Sequence, residues 1–200
     1  MPPSNVTNIY RTTSIGHLNV VHLLLEHGAT VAARDVNKRT PLMLAAEGGH
    51  VDILRVLFDH GANVDDRDCL GHTALHRAAE KGSVASVSLL LDRGGDIAGR
   101  EKGSHIEACD GKSRTALYFA AHEGHPEAAR LLLERGALVN ARDRFLYTPL
   151  HRASERGHSD VIQVLVEHGA EVEARDIEGR TPLYHAVCHK HERSLAFVWL

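Results

Sequence analysis

"TPLHRASERGH", residues 148–158, sets two histidines, a glutamate and two arginines within eleven positions. Such a density of titratable groups suits either a chemical site or a recurring structural unit, and recurrence decides between them. Thr148 aligns with Thr40 of "TPLMLAAEGGH", Thr73 of "TALHRAAEKGS", Thr115 of "TALYFAAHEGH" and Thr181 of "TPLYHAVCHKH". From Thr40 onward the steps are 33, 42, 33 and 33 residues, so one step carries nine extra residues. A further step of 33 back from Thr40 reaches Thr7 and "TNIYRTTSIGH", which keeps the Thr, an aliphatic and the Gly-His. A fixed period of this length is the mark of a repeat array.

Each unit has a physical reading. Threonine accepts from the free N–H groups of a helix start, and proline at the first helical position has the required φ. Thr40-Pro41, Thr148-Pro149 and Thr181-Pro182 therefore predict helix beginnings. Leu and paired Ala face inward along a short first helix, which Gly16, Gly49, Gly82, Gly124 and Gly157 then close. A second helix carries an apolar stripe at helical spacing, as in "VVHLLL" (20–25) and "VIQVLV" (161–166). Gly28, Gly61, Gly136 and Gly169 end it before an extended "V-x-A-R-D" link.

Two helices and an extended link every 33 residues resemble the ankyrin repeat. The resemblance rests on "TPLHRA" (148–153), the Gly-His pairs, "LLLEHGA" (23–29) and "VNARD" (139–143), recurring in order and register. It implies an all-α ankyrin-repeat solenoid of stacked antiparallel helix pairs with projecting β-hairpin loops. Residues 1–200 then form a single array, with repeats near 2–34, 35–67, 68–109 (holding the insertion), 110–142, 143–175 and an incomplete 176–200. Neighbouring repeats supply the core that one unit cannot bury alone. The insertion offers two candidates for the "V-x-A-x" link, Ile97–Arg100 and Ile106–Cys109. The first repeat reads as a worn or capping copy. For the apolar last stretch "SLAFVWL", with Trp199, the expectation is either further repeats or domains beyond Leu200 or an end that meets another surface.

Within this frame the histidines read as scaffold. His151 and His158 are seven apart with Gly157 between them, unlike the HExxH pair of a zinc protease. His151 falls three residues after Thr148, where a capping side chain reaches back to the helix start. The resemblance implies a Thr–His hydrogen bond there and at Thr73–His76. The Gly-His set (His17, His50, His125, His158) and the set before the second glycine, in "EHG" or "DHG" (His27, His60, His168), recur four and three times. "HAVCHKH" gathers His185, Cys188, His189 and His191, but helical spacing spreads them around the axis. "GREKGS" (99–104) lacks the Walker spacing and ending. No catalytic residue, cofactor site or metal site is expected.

Composition narrows the class further. Hydrophobic residues make up 43% but aromatics only 4%, so the core is built from small aliphatics. A net charge of −3 gives no footprint for nucleic acid, and no apolar run is long enough to span a membrane. Cys69, Cys109 and Cys188 are odd in number, widely spaced and without a CxxC pair, which fits a reducing compartment. Together with the absence of a secretory h-region, this gives the expectation of an intracellular chain, cytoplasmic first and nuclear as the alternative.

The resemblance implies a protein-binding surface made of hairpin tips and the concave faces of first helices. Carried over by position, the expected contacts are Leu70, His72, Lys81, Glu123, Phe145, Leu146, Tyr147, Glu155, Arg156, Ile177 and Arg180. Phe145-Leu146-Tyr147 departs from the family pattern, where a glycine is usual. Its apolar side chains either tuck against a neighbouring hairpin or stand exposed as an interface anchor. Arginine closes the units at Arg34, Arg67, Arg100, Arg142 and Arg175, and four of the five precede an aspartate. This predicts an Arg/Asp ladder between adjacent hairpins, with an arginine stripe that recognises an acidic partner peptide as the alternative. The function expected is a non-enzymatic scaffold for protein–protein interaction. The alternative is a recognition arm of a larger protein, such as a ubiquitin ligase receptor or nucleotide-binding sensor. Asn140 resembles the hairpin asparagines that hydroxylases modify in this family.

Overall fold

The computed structural model describes residues 4–95 and 105–188, with side-chain surroundings from 9 to 94 and from 105 to 188. The chain divides into two compact units, Met1–His105 and Ile106–Leu200. In the first, α1 (Ser4–Ile15), α3 (Pro41–Gly48) and α5 (Ala74–Glu80) stack as one layer of first helices. The second helices α2 (Leu18–Glu26), α4 (Val51–Asp59) and α6 (Val84–Gly95) form the layer behind them. In the second unit, α7 (Ala116–Glu123), α9 (Pro149–Arg156) and α11 (Pro182–Cys188) make the front layer, and α8 (Pro126–Glu134) packs beside α10 (Ser159–Glu167) behind it.

Helix starts follow the sequence reading from the second repeat onward. Thr40, Thr115 and Thr148 are extended, and their side chains accept the N–H of Met43, Tyr118 and His151. Such caps stabilise a helix by about 1 kcal/mol each. The first repeat differs: α1 runs back to Ser4, so Thr7 lies inside the helix rather than capping it.

Close stacking of the first helices depends on their paired alanines. Ala45-Ala46, Ala78-Ala79 and Ala120-Ala121 are fully buried. Behind them Leu54, Leu57, Leu90, Leu132, Ile162 and Leu165 complete the core. Among the described residues the projecting loops contain no strand; they are tight turns. Each closes through two backbone bonds: the N–H of Asp35, Asp68, Asp110, Asp143 or Asp176 donates to the carbonyl four residues on, and the aspartate carbonyl accepts the N–H three residues on. Adjacent turns join by further backbone bonds: Cys69 to Asn37, Arg144 to Lys112 and Ile177 to Phe145. Ile106 and Ala108 are buried, so Ile106–Cys109 occupies the link position. Ile97–Arg100 and most of the insertion lie outside the described residues.

Candidate protein-binding surface

The aspartate that opens each hairpin organises it from inside. One oxygen of Asp68 accepts the N–H groups of Leu70 and His72 at 2.8 and 2.9 Å. The same oxygen of Asp35, Asp110, Asp143 and Asp176 accepts the N–H groups two and four residues on. The expected Arg/Asp ladder is therefore corrected: these carboxylates are consumed within their own turns. Their preceding arginines reach carbonyl oxygens instead. Arg34 donates to Arg67 O at 2.9 Å, Arg142 to Arg175 O at 3.2 Å, and Arg175 to Gly179 O at 3.1 Å. Arg34 also pairs with a carboxylate, but that of Asp66, at 2.6 Å.

The second carboxylate oxygen takes a cation, and two positions alternate in supplying it. Where the hairpin ends in arginine, that residue pairs with its own aspartate: Arg39 with Asp35 at 2.8 Å and Arg114 with Asp110 at 2.6 Å. Where the hairpin ends in His72 or Tyr147, the cation comes from the fifth residue of the Thr-led motif. Arg77 then meets Asp68 at 2.6 Å and Arg152 meets Asp143 at 3.6 Å. Leu44 and Phe119 hold that helix position where no second cation is required. The last repeat has both partners: Arg180 at 2.9 Å and the buried His185 at 3.0 Å from Asp176. Burial alone would raise the Asp176 pKa, but hydrogen bonds from Arg180 and His185 outweigh it and hold the carboxyl well below its usual range. This alternation was visible in the sequence as anticorrelated residues five apart.

In the second unit the same cations interleave with aromatic rings. Arg114 lies 4.7 Å from the Phe119 ring centroid and 5.5 Å from that of Tyr118. Arg152 lies 5.3 Å from Tyr118 and 3.9 Å from Tyr147. Arg180 donates to the Tyr147 hydroxyl at 2.9 Å and lies 5.9 Å from the Tyr184 ring. Cation–π contacts contribute about 0.5–1 kcal/mol each at exposed sites, so the ladder stiffens this face. Tyr118, Arg152 and Tyr184 were not among the expected contacts. Repeat alignment assigns them to scaffold slots and hides their contact with one another.

The expected contact residues divide between the units. Leu70, His72 and Lys81 belong to the first. Leu70 and Lys81 are exposed, but His72 is buried. Its ring lies 3.4 Å from Asp68 and 5.7 Å from the His76 ring, so the expectation that it faces a partner is corrected. In the second unit, Arg156 donates to His122 at 2.9 Å and His122 bonds Glu123 at 2.7 Å, which joins the concave positions of two neighbouring first helices. Glu155 accepts from Arg152 at 2.6 Å. Phe145, Leu146 and Ile177 are 43%, 41% and 62% exposed, so the apolar tips stand out rather than tucking in. Tyr147 and Arg180 are half-buried within the ladder. Asn140 is occupied on both sides of its amide: Oδ1 accepts from Glu171 N at 2.9 Å, and Nδ2 donates to Gly169 O at 3.4 Å.

A family model described as Ankyrin repeats (3 copies) matches residues 9–101, 70–143, 99–176 and 144–198. The chain belongs to the ankyrin repeat family. No curated protein matches it. Within the ankyrin repeats each histidine set has its own hydrogen bond. His151 accepts from the Thr148 N–H at 3.2 Å through Nδ1, which leaves Nε2–H to donate to Arg180 O at 3.2 Å. His76 accepts from the Thr73 N–H at 3.1 Å. His27, His60 and His168 donate from Nδ1 to the carbonyl four residues back, closing their helices. The Gly-His rings reach the preceding repeat: His50 bonds Ser14 O at 3.2 Å and His158 bonds His122 O at 3.1 Å. Gly124 has φ +80°, and a Cβ there would come within 2.6 Å of the His158 ring.

The "HAVCHKH" cluster is divided by the same scaffold. His185 is committed to Asp176, whereas His189 and His191 lie outside the described residues. Among the described residues no group of three or more His, Cys, Asp or Glu could hold a metal, and no helix is long and apolar enough to cross a membrane. Ankyrin repeats are generally protein–protein interaction modules and typically non-enzymatic.

Proposed function

We propose that this protein is a non-enzymatic scaffold that binds a protein partner through its hairpin tips and the concave faces of its first helices. One observation carries the reading. Buried Asp68, Asp110, Asp143 and Asp176 are committed to turns and His76 and His151 to helix caps, yet Phe145, Leu146 and Ile177 remain exposed on adjacent hairpins. These two hairpins are joined by the Ile177 N–H to Phe145 O bond of 3.0 Å, so the tips are held in register. Large apolar side chains on a rigid frame, next to half-buried Tyr147 and Arg180, have the composition of an interface hot spot.

The experiment is affinity capture from cells with the full chain and the variants Phe145→Glu and Ile177→Glu. Both positions are exposed, so circular dichroism and melting temperature should stay unchanged. Capture of specific partners should fall by roughly tenfold or more, the loss expected of an anchor residue. Undiminished capture by both folded variants would remove this surface from the proposal.

A further inference from the structure

We infer that the hairpin edge of the second unit recognises an acidic-and-apolar peptide segment, with carboxylates over Lys112 and Arg144 and apolar side chains against Phe145, Leu146 and Ile177. This deepens the proposed function and rests on reading this edge as a protein-binding surface.

Order along the edge is the first observation. Backbone bonds from Arg144 N to Lys112 O and from Ile177 N to Phe145 O fix three hairpin tips side by side. The tips therefore read Gly111-Lys112, Arg144-Phe145 and Ile177-Glu178, cationic at one end and apolar beyond it.

Unmet charge is the second. Asp110, Asp143 and Asp176 are buried and hold their own turns, with cations from Arg114, Arg152, Arg180 and His185. Glu178 pairs with Arg180 at 2.7 Å. Among the described residues Lys112, Arg144 and Arg175 have no carboxylate in ion-pairing range. Arg144 and Arg175 donate only to the carbonyls of Gly111 and Gly179. The turns spend their carboxylates inside and present their cations outside.

Backbone strain is the third. The fourth hairpin position has positive φ in every turn, filled by Gly71, Gly179, Lys38, Ser113 or Leu146. Leu146 has φ +61° and is 41% exposed. A leucine held left-handed costs of order 1–2 kcal/mol, and here it adds an apolar side chain to the surface beside Phe145.

Two fluorescein-labelled peptides test the inference by titration against the full chain. One has two aspartates and two leucines separated by a Gly-Ser spacer; the other has lysines in place of the aspartates. The aspartate peptide should bind at least about tenfold more tightly, and added salt should weaken it. In the double variant Lys112→Glu/Arg144→Glu the preference should reverse, with Lys112→Gln/Arg144→Gln giving an intermediate loss. Phe145→Ser with Ile177→Ser should weaken both peptides. Equal binding of the two peptides, no detectable binding, or a preference unmoved by charge reversal would overturn the inference. So would an oligothymidylate that competes as well as the aspartate peptide and is insensitive to Phe145→Ser, because that is polyanion binding. If captured cellular partners depend on Phe145 and Ile177 but not on Lys112, Arg144 or salt, the binding surface stands and the acidic partner falls.

Discussion

The two units share one scaffold and differ in what covers it. In the first, the concave side carries Leu44, Glu47, Gly48 and Lys81, and a groove of about 630 Å³ remains beside Tyr10, Arg11 and Arg39. In the second, Tyr118, Arg152, Tyr147, Arg180 and Tyr184 interleave at the places that Met43, His76, Leu44, Arg77, Arg39 and His72 hold in the first. Among the hairpin aspartates only the first stands apart: the side chain of Asp35 is 14% exposed, whereas those of Asp68, Asp143 and Asp176 are 1%, 2% and 0% exposed. The comparison separates two kinds of position: those set by stacking, which are alike in both units, and those free to specialise.

Core positions should show the likeness most strongly. Leu57 and Leu165 occupy equivalent places in α4 and α10 and are both fully buried. Each change to alanine should cost about 2–5 kcal/mol, from lost transfer energy and the cavity left behind. Urea titration measures both. Costs that differ by more than this range would break the claim that the units share one scaffold.

The first and last hairpin aspartates should show a difference in burial. Asp176→Ala removes the acceptor of two backbone N–H groups and the carboxylate that faces buried His185. Buried polar groups left unpaired cost about 1–3 kcal/mol each, so this loss should be the larger of the two. Asp35→Ala removes the same bonds where water can replace them, so its cost should lie nearer 1 kcal/mol. Equal losses in the two variants would mean that burial does not separate the two turns.

Most of the scaffold was legible because stacking repeats its demands at fixed spacing. Thr148, Pro149, Gly157 and Leu165 each recur for a local reason, so alignment alone exposes them. The Thr73–His76 and Thr148–His151 bonds were legible in the same way. Two things escaped. Arg34, Arg67, Arg142 and Arg175 stand beside aspartates in the sequence, and adjacency suggested pairing; the turn geometry instead directs those carboxylates to backbone N–H groups. The ladder from Arg114 to Tyr184 depends on contacts between repeats at different positions of the motif, which no single column of the alignment contains. His72 was misplaced for a related reason: its column holds surface-reaching arginines, but Arg77 supplies the cation and the imidazole stays inside. Thr7 kept the motif residue, but α1 runs back to Ser4 and encloses it.

An acid titration sharpens the comparison at intermediate size. Burial disfavours the imidazolium of His151, lowering its pKa, while the Arg180 carbonyl and Asp176 partly oppose this and His185 adds to it. His158 is lowered chiefly by burial as well. The unfolded chain therefore takes up more protons than the fold as pH drops below about 6.5. Stability should be fully present above that pH, fall below it, and level off under the folded pKa. Asp176 acts lower down: its carboxyl stabilises the fold above about pH 4 and loses that contribution on further acidification. Urea midpoints at pH 7, 6 and 5 should therefore decline, and His151→Gln with His158→Gln should flatten much of the decline. Amide exchange in α9 and α10 should accelerate over the same range. A double variant with the wild-type slope would remove these histidines as its cause.

The smallest effect distinguishes scaffold from surface most directly. Lys38 and Leu146 occupy the same left-handed hairpin position in the two units, with φ of 60° and 61°. Glycine relieves the Cβ strain of 1–2 kcal/mol but adds about 0.5–1 kcal/mol of unfolded-state entropy. Both Lys38→Gly and Leu146→Gly should therefore stabilise the chain slightly, by about 0.5–1 kcal/mol. Their effects on binding should differ. Lys38→Gly should leave partner capture by the second unit unchanged, whereas Leu146→Gly should weaken it while raising the melting temperature. A loss of binding with a gain in stability cannot come from damage to the fold, so that pairing would identify Leu146 as a residue kept for contact. If Leu146→Gly stabilises the chain and binds as before, the strained leucine has no part in the interface, and Phe145 and Ile177 must carry the apolar contact alone.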